Sequence, residues 1–171
     1  MKQKLNCILL IDDDEPTNFV STIYIEEAQC TDHLQITDSG QKALNYLTSS
    51  EEFECNSGRF PCPDLIFLDI NMPAMNGWEF LDKYRQLKKE HHGNVIIIML
   101  TTSLDPDDKI RADNIPEISG FAVKPLTAEL LDNVLREYFD WQLLKPLGSL
   151  EPAQAKDTLQ KLTHMQKLIK N

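Results

Sequence analysis

Short apolar runs alternate with longer stretches in which apolar residues recur every three or four positions. Residues 5 to 11, LNCILLI, are nearly all apolar. Such a run predicts a strand buried on both faces. After Pro16, Phe19, Val20, Ile23 and Tyr24 recur at helical spacing and predict the apolar stripe of a first helix. Leu34 to Thr37 alternates like a short second strand, and Ser39 can cap a helix carrying Ala43, Leu44 and Leu47. Residues 48–63, TSSEEFECNSGRFPCP, exceed the usual connection length and read as a surface insertion. Leu65 to Leu68 is the third buried strand. After the turn INMPAMNG, Phe80, Leu81, Tyr84 and Leu87 line one face of a helix. Lys88, Lys89, His91, His92 and Gly93 are the expected stop of that helix, since cations and glycine favour a helix C-terminus. Val95 to Leu100 is the most apolar strand. Asp105 and Pro106 read as the cap and first residue of a fourth helix. Gly120 to Val123 is a short last strand, closed by Lys124-Pro125. A helix from Thr127 to Leu144 follows, with Leu130, Leu131, Val134, Leu135, Tyr138 and Trp141 as its stripe.

Strands and helices thus alternate five times. That pattern argues for an α/β domain over residues 1–144, a parallel sheet covered by helices on both faces. Lys145 to Ser149 breaks it. Within 145–171 a linker leads to a C-terminal helix with Ala155, Leu159, Leu162, Met165 and Ile169 on one face. This helix is read as packing on its own domain, with a dimer or partner contact as the alternative.

Composition narrows the partners. The chain has 171 residues, 42% hydrophobic and 26% charged, an ordinary globular mixture. A formal net charge of −10 repels phosphate backbones and argues against nucleic-acid binding. No apolar run reaches the roughly 20 residues of a membrane span. The start, MKQKLNC, enters a strand rather than a signal peptide, so a cytoplasmic protein is expected. Of the four cysteines, Cys7 reads as a small core residue. Cys55 and Cys62 flank the polar loop at a spacing unlike common zinc pairs. They are read as reduced thiols in preference to a zinc site or a disulfide.

The polar residues fall at strand ends. Asp12-Asp13-Asp14, Asp69, Thr101 and Lys124 each follow an apolar strand, and in an open parallel sheet chemistry sits at those carboxyl ends. The second strand ends at Thr37-Asp38 and adds little. Singly, each residue has an ordinary explanation as a turn former or helix cap. Together they form a chemical set. Asp12, Asp13 and Asp69 offer oxygen ligands for a hard cation such as Mg²⁺. Asp69 can act as a nucleophile on phosphorus. A metal, the Thr101 hydroxyl and the Lys124 ammonium can each take one oxygen of a transferring phosphoryl group.

The stretches LLIDDDEP, LIFLDINMPAMNG, IIIMLTTS and GFAVKPL resemble the receiver domain of bacterial two-component response regulators, over residues 5 to 140. The resemblance implies a flavodoxin-like, doubly wound (βα)5 fold with strand order 2-1-3-4-5. It implies that Asp69 accepts a phosphoryl group in a Mg²⁺-dependent reaction, with Mn²⁺ as a substitute. Asp13 would bind the metal directly, Asp12 mainly through water, and Asn71 through its backbone carbonyl. Thr101 and Lys124 would stabilise the phosphoryl group. Thr101 and Phe121 would be the switch residues, and the Lys124-Pro125 peptide would be cis. Asp14 would be solvated or act behind the paired acids. Loop length and the TTS ending are similar to stand-alone regulators, including those paired with bacterial phytochromes.

The implied protein is a signalling switch that catalyses its own phosphorylation and dephosphorylation, not a turnover enzyme. Its expected partners are a sensor histidine kinase or phosphotransfer protein and a downstream protein target. A homodimer could form through the 105–139 face or the C-terminal helix. No DNA-binding output domain is expected in 145–171. Two alternatives stand. A haloacid dehalogenase-like phosphatase would place its nucleophile in a D-x-D motif such as Asp12-Asp13-Asp14, but Pro16 stands where that motif needs Thr or Val. A non-phosphorylated receiver-like interaction module would not need the phosphorylation residues that are present.

Overall fold

A computed structural model describes residues 4–52, 61–87, 95–103 and 105–141. Five strands form one parallel sheet: β1 (Leu5–Ile11), β2 (Thr31–Thr37), β3 (Leu65–Asp69), β4 (Ile96–Thr101) and β5 (Gly120–Val123). Their order is β2-β1-β3-β4-β5. The helices between and after them are α1 (Glu15–Ala28), α2 (Gly40–Glu52), α3 (Gly77–Tyr84), α4 (Pro106–Asp113) and α5 (Ala128–Phe139). The chain divides after Thr127 into two compact units. The first holds the whole sheet and α1 to α4.

The core follows from strand periodicity. Leu9, Ile11, Ile66, Leu68, Ile97 and Met99 join Ala43, Leu44, Leu47, Phe80, Leu81 and Ala112 from α2, α3 and α4 in one buried cluster. The alternate residues Ile8, Leu10, Leu65, Phe67, Ile98 and Leu100 are also buried and point to the opposite face of the sheet. A sheet covered on both faces explains why β1 and β3 read as continuous apolar runs.

Several elements depart from the sequence pattern. The α1 stripe Phe19, Val20, Ile23 and Tyr24 is only half-buried; the buried positions are Asn18, Ser21, Ile25 and Ala28. Hydropathy misleads there because Asn18 is buried to make a hydrogen bond. β2 begins at Thr31, earlier than its alternating core. α3 stops at Tyr84, with a turn through Leu87, and the proposed stop at Lys88 to Gly93 lies outside the described residues.

In the second unit α5 buries Leu131, Val134 and Leu135 and carries an Arg136–Asp132 pair at 2.9 Å. It ends at Phe139, short of Leu144, because Asp140 turns left-handed with φ 49°. Residues 142–171, with the C-terminal helix read from the sequence, lie outside the described residues.

Cys62 is disulfide-bonded, which corrects the expectation of reduced thiols; its partner lies outside the described residues. The foot of the insertion is pinned there. The Tyr46 hydroxyl donates to the Pro61 carbonyl at 2.6 Å, and Asn6 Nδ2 donates to the Cys62 carbonyl at 3.0 Å. Cys7 and Cys30 are free and buried. Among the described residues no helix is long and apolar enough to cross a membrane.

Candidate functional site: an acidic cluster with a lysine at the carboxyl edge of the sheet

Strand register brings the candidate residues together. Ile11 pairs with Leu68, so the next residues, Asp12 and Asp69, end neighbouring strands side by side. Thr101 pairs with Val123, and the Lys124 N–H donates to the Thr101 carbonyl at 2.9 Å. One carboxylate oxygen from each of Asp12, Asp13 and Asp69 lies within 4.8 Å of the others. Asp12 and Asp69 are buried, whereas Asp13 is exposed.

Lys124 closes the cluster. Its Nζ lies 2.6 Å from Asp12 Oδ2 and 3.0 Å from Asp69 Oδ2. Burial pushes the Asp12 carboxyl above its ordinary value, against the pull of the Lys124 hydrogen bond and the Asp14 N–H. Burial works against the Lys124 charge too, but its hydrogen bonds and charge pairing with Asp12, and then with Asp69, outweigh it and hold the ammonium above its ordinary value. The Lys124-Pro125 peptide is cis.

Asp12 is held through both its backbone and its side chain. Its N–H donates to the Thr37 carbonyl at 3.1 Å, its carbonyl accepts from Asn18 Nδ2 at 2.7 Å, and its Oδ1 accepts from the Asp14 N–H at 3.0 Å. Asp14 itself caps α1. Its Oδ2 accepts from the Thr17 N–H at 2.9 Å and from the Thr17 hydroxyl. Those two bonds pull its carboxyl below the ordinary range.

The segment after β3 is equally constrained. The Gly77 N–H donates to the Ile70 carbonyl at 2.8 Å, closing the loop that carries Asn71. A methyl group at Gly77 would stand 2.5 Å from the Asp69 carbonyl oxygen. Asn76 and Glu79 form a reciprocal capping box at the start of α3. Trp78 is buried in the core beneath the Arg111 guanidinium, whose carbon lies 4.3 Å from the ring centroid. Thr101 is fully buried, and its Oγ1 accepts from the Ser103 N–H at 2.9 Å, leaving the hydroxyl proton to be donated elsewhere. Phe121 is half-buried against the core cluster.

The profile of the response regulator receiver domain matches residues 8–136. The chain belongs to the response regulator receiver family. It is 27% identical over 133 residues to the chemotaxis protein CheY of Pseudomonas aeruginosa, covering 78% of this chain and 95% of that one. A solved two-component response regulator from Cytophaga hutchinsonii superposes with a TM-score of 0.71 at 34% identity, covering 81% of this chain and 99% of that one. The bacteriophytochrome response regulator RtBRR shares the fold, with a TM-score of 0.65 at 21% identity over 98% of this chain and 96% of that one. Some curated relatives are much longer. The chain spans 53% of one response regulator and 9% and 11% of two histidine kinases.

Receiver domains bind Mg²⁺ at an acidic pocket, and this receiver has a fitting donor set. Its three converging carboxylates are hard oxygen ligands, and exposed Asp13 leaves coordination positions open to water. Asn18 and Gly77 were absent from the sequence reading of the site, and Thr37 was set aside there as adding little. Each acts through the backbone of an acidic residue, which a pattern of polar residues at strand ends does not reveal.

Proposed function

We propose that this receiver is a phospho-accepting switch, with Asp69 as the acceptor. The observation that carries the reading is the convergence of Asp12, Asp13 and Asp69 with Lys124 at the carboxyl edge of the sheet. Asp13, Asp69 and the Asn71 carbonyl would hold Mg²⁺ or Mn²⁺, with Asp12 acting mainly through water. The metal would neutralise charge on the phosphoryl oxygens.

The donor is the phosphohistidine of a sensor histidine kinase or a phosphotransfer protein. A carboxylate oxygen of Asp69 attacks phosphorus. The new P–O bond forms as the P–N bond to imidazole breaks, and the freed imidazole nitrogen takes a proton from water. Lys124, already 3.0 Å from Asp69, pairs with one phosphoryl oxygen. The Thr101 hydroxyl donates to another.

New bonds to Thr101 and Lys124 exist only in the phosphorylated state, so they can bias a two-state equilibrium. Phe121 is the aromatic partner in that shift. The output is a changed protein contact. The exposed apolar side chains Ile110 on α4 and Val123 on β5 support a surface there for a downstream protein or a second copy.

Incubation with acetyl phosphate and Mg²⁺ tests the reading. Wild type should gain one acid-stable, base-labile phosphoryl group and Asp69→Asn none. Equal labelling of both would reject Asp69 as the acceptor.

A further inference from the structure

We propose that Gly40, the first residue of α2, is a positioning residue for phosphoryl transfer, because its missing side chain seats Met75 and thereby the loop that follows Asp69. The proposal rests on Asp69 being the acceptor.

The loop from Ile70 to Asn76 is a closed unit. Gly77 ties its ends through the Ile70 carbonyl, and within it the Met75 N–H donates to the Pro73 carbonyl at 2.7 Å. Ala74, between them, has φ 64°, so the bend is a tight three-residue turn in a conformation that alanine seldom adopts. Such a bend has to be held from outside. Met72 and Met75 do this, both buried in the core cluster.

Met75 reaches the start of α2. A methyl group at Gly40 would stand 2.9 Å from Met75 Sδ, 3.2 Å from its Cγ and 3.5 Å from its Cβ. Among the described residues the three atoms nearest to that methyl position all belong to Met75. The φ of Gly40 is not left-handed, and glycine lowers helix propensity relative to alanine. Space for Met75 is the remaining reason. The turn after β2 therefore reaches the site in two ways. The Thr37 carbonyl receives the Asp12 N–H, and Gly40 receives the side chain that anchors the Asn71 loop.

A side chain at Gly40 would displace Met75. Met75 is packed in the buried core cluster, which restricts its thioether from swinging aside, so on this proposal the displacement is carried by the loop closed at Ile70 and Gly77 to Asn71 and Asp69. Misplacement of a reacting group by about 1 Å costs up to about 100-fold in rate.

The test compares full-length wild type, Gly40→Ala, Met75→Ala, the double variant and Asp69→Asn. Labelling rates with acetyl phosphate and Mg²⁺ are measured at a temperature where circular dichroism shows each protein folded. Thermal midpoints and Mg²⁺ titrations of Trp78 fluorescence accompany them. Gly40→Ala should keep its midpoint yet label about tenfold more slowly. In the Met75→Ala background the same substitution should change the rate by less than about twofold, because the vacated space accepts the methyl group. A wild-type rate for Gly40→Ala, or the same slowing in both backgrounds, overturns the proposal. If Gly40→Ala does not fold, the double variant against Met75→Ala decides: equal rates support the proposal and a slower double variant overturns it. Labelling of Asp69→Asn at the wild-type rate would instead remove the acceptor reading itself.

Discussion

The ammonium of Lys124 lies 2.6 Å from Asp12 Oδ2, with both side chains almost sealed from solvent. Lys124→Ala therefore leaves Asp12 and Asp69 as neighbouring buried acids with no cation between them. The variant should lose about 3 kcal/mol of stability without divalent metal, because an uncompensated buried charge is costly. Added Mg²⁺ should recover part of that loss. Urea unfolding with and without Mg²⁺ measures both effects. The raised folded-state value of Lys124 means that its contribution is fully present below the ordinary lysine value and fades as pH rises through the folded value.

The Asp14 cap carries a pH signature of opposite sign. Its carboxyl is lowered in the folded state by hydrogen bonds from Thr17. Its contribution is present above the ordinary carboxylate value and is lost as pH falls through the folded one. Asp14→Ala should cost about 1 kcal/mol at neutral pH, and Asp14→Asn much less, since asparagine also caps. The difference between wild type and Asp14→Ala should shrink in urea titrations as pH drops below about 4. A difference independent of pH would mean that the cap acts without its charge.

Gly77→Ala should be more damaging than a surface change of the same size. The added methyl group meets the Asp69 backbone oxygen at 2.5 Å, which cannot swing aside as a side chain could. A loss of about 1–3 kcal/mol is expected from overpacking, together with loss of labelling by acetyl phosphate. A variant that labels at the wild-type rate would show that the β3–α3 backbone tolerates the shift.

Thiol chemistry should divide the cysteines into two classes. Burial pushes the Cys7 and Cys30 thiols up to about 11, despite weaker hydrogen bonds that pull the other way. About 0.1% of each is then thiolate at pH 8. Iodoacetamide followed by mass spectrometry should leave Cys7 and Cys30 unmodified in the folded protein and modify both in urea. Cys62 should react only after reduction.

Much of the site was legible because each of Asp12, Asp69 and Lys124 is the first polar residue at the end of an apolar strand, and a parallel register lines such residues up. The strands themselves were legible for the same reason: β1 and β3 are buried on both faces. The face of α1 was not. Asn18 counts as polar in any hydropathy pattern, yet it is buried because its side-chain amide donates a hydrogen bond to the Asp12 carbonyl. Gly40 and Gly77 were illegible in a different way. Their role is the space they leave, and that depends on Met75 and on the Asp69 backbone. The bonded state of Cys62 was missed because spacing and compartment argued for free thiols, while the hydrogen bonds that fix Pro61 and Cys62 are tertiary.

The position of β5 at the sheet edge has a consequence for biosynthesis. Among the described residues β5 pairs only with β4, yet the lysine just past its end reaches two strands further, to a carboxylate made more than a hundred residues earlier. Until β5 docks, Lys124 cannot reach Asp12, because their contact closes a loop of more than a hundred residues. A divalent cation at the three carboxylates would stand in for the Lys124 charge in that interval. Lys124 completes the site only once β5 has docked.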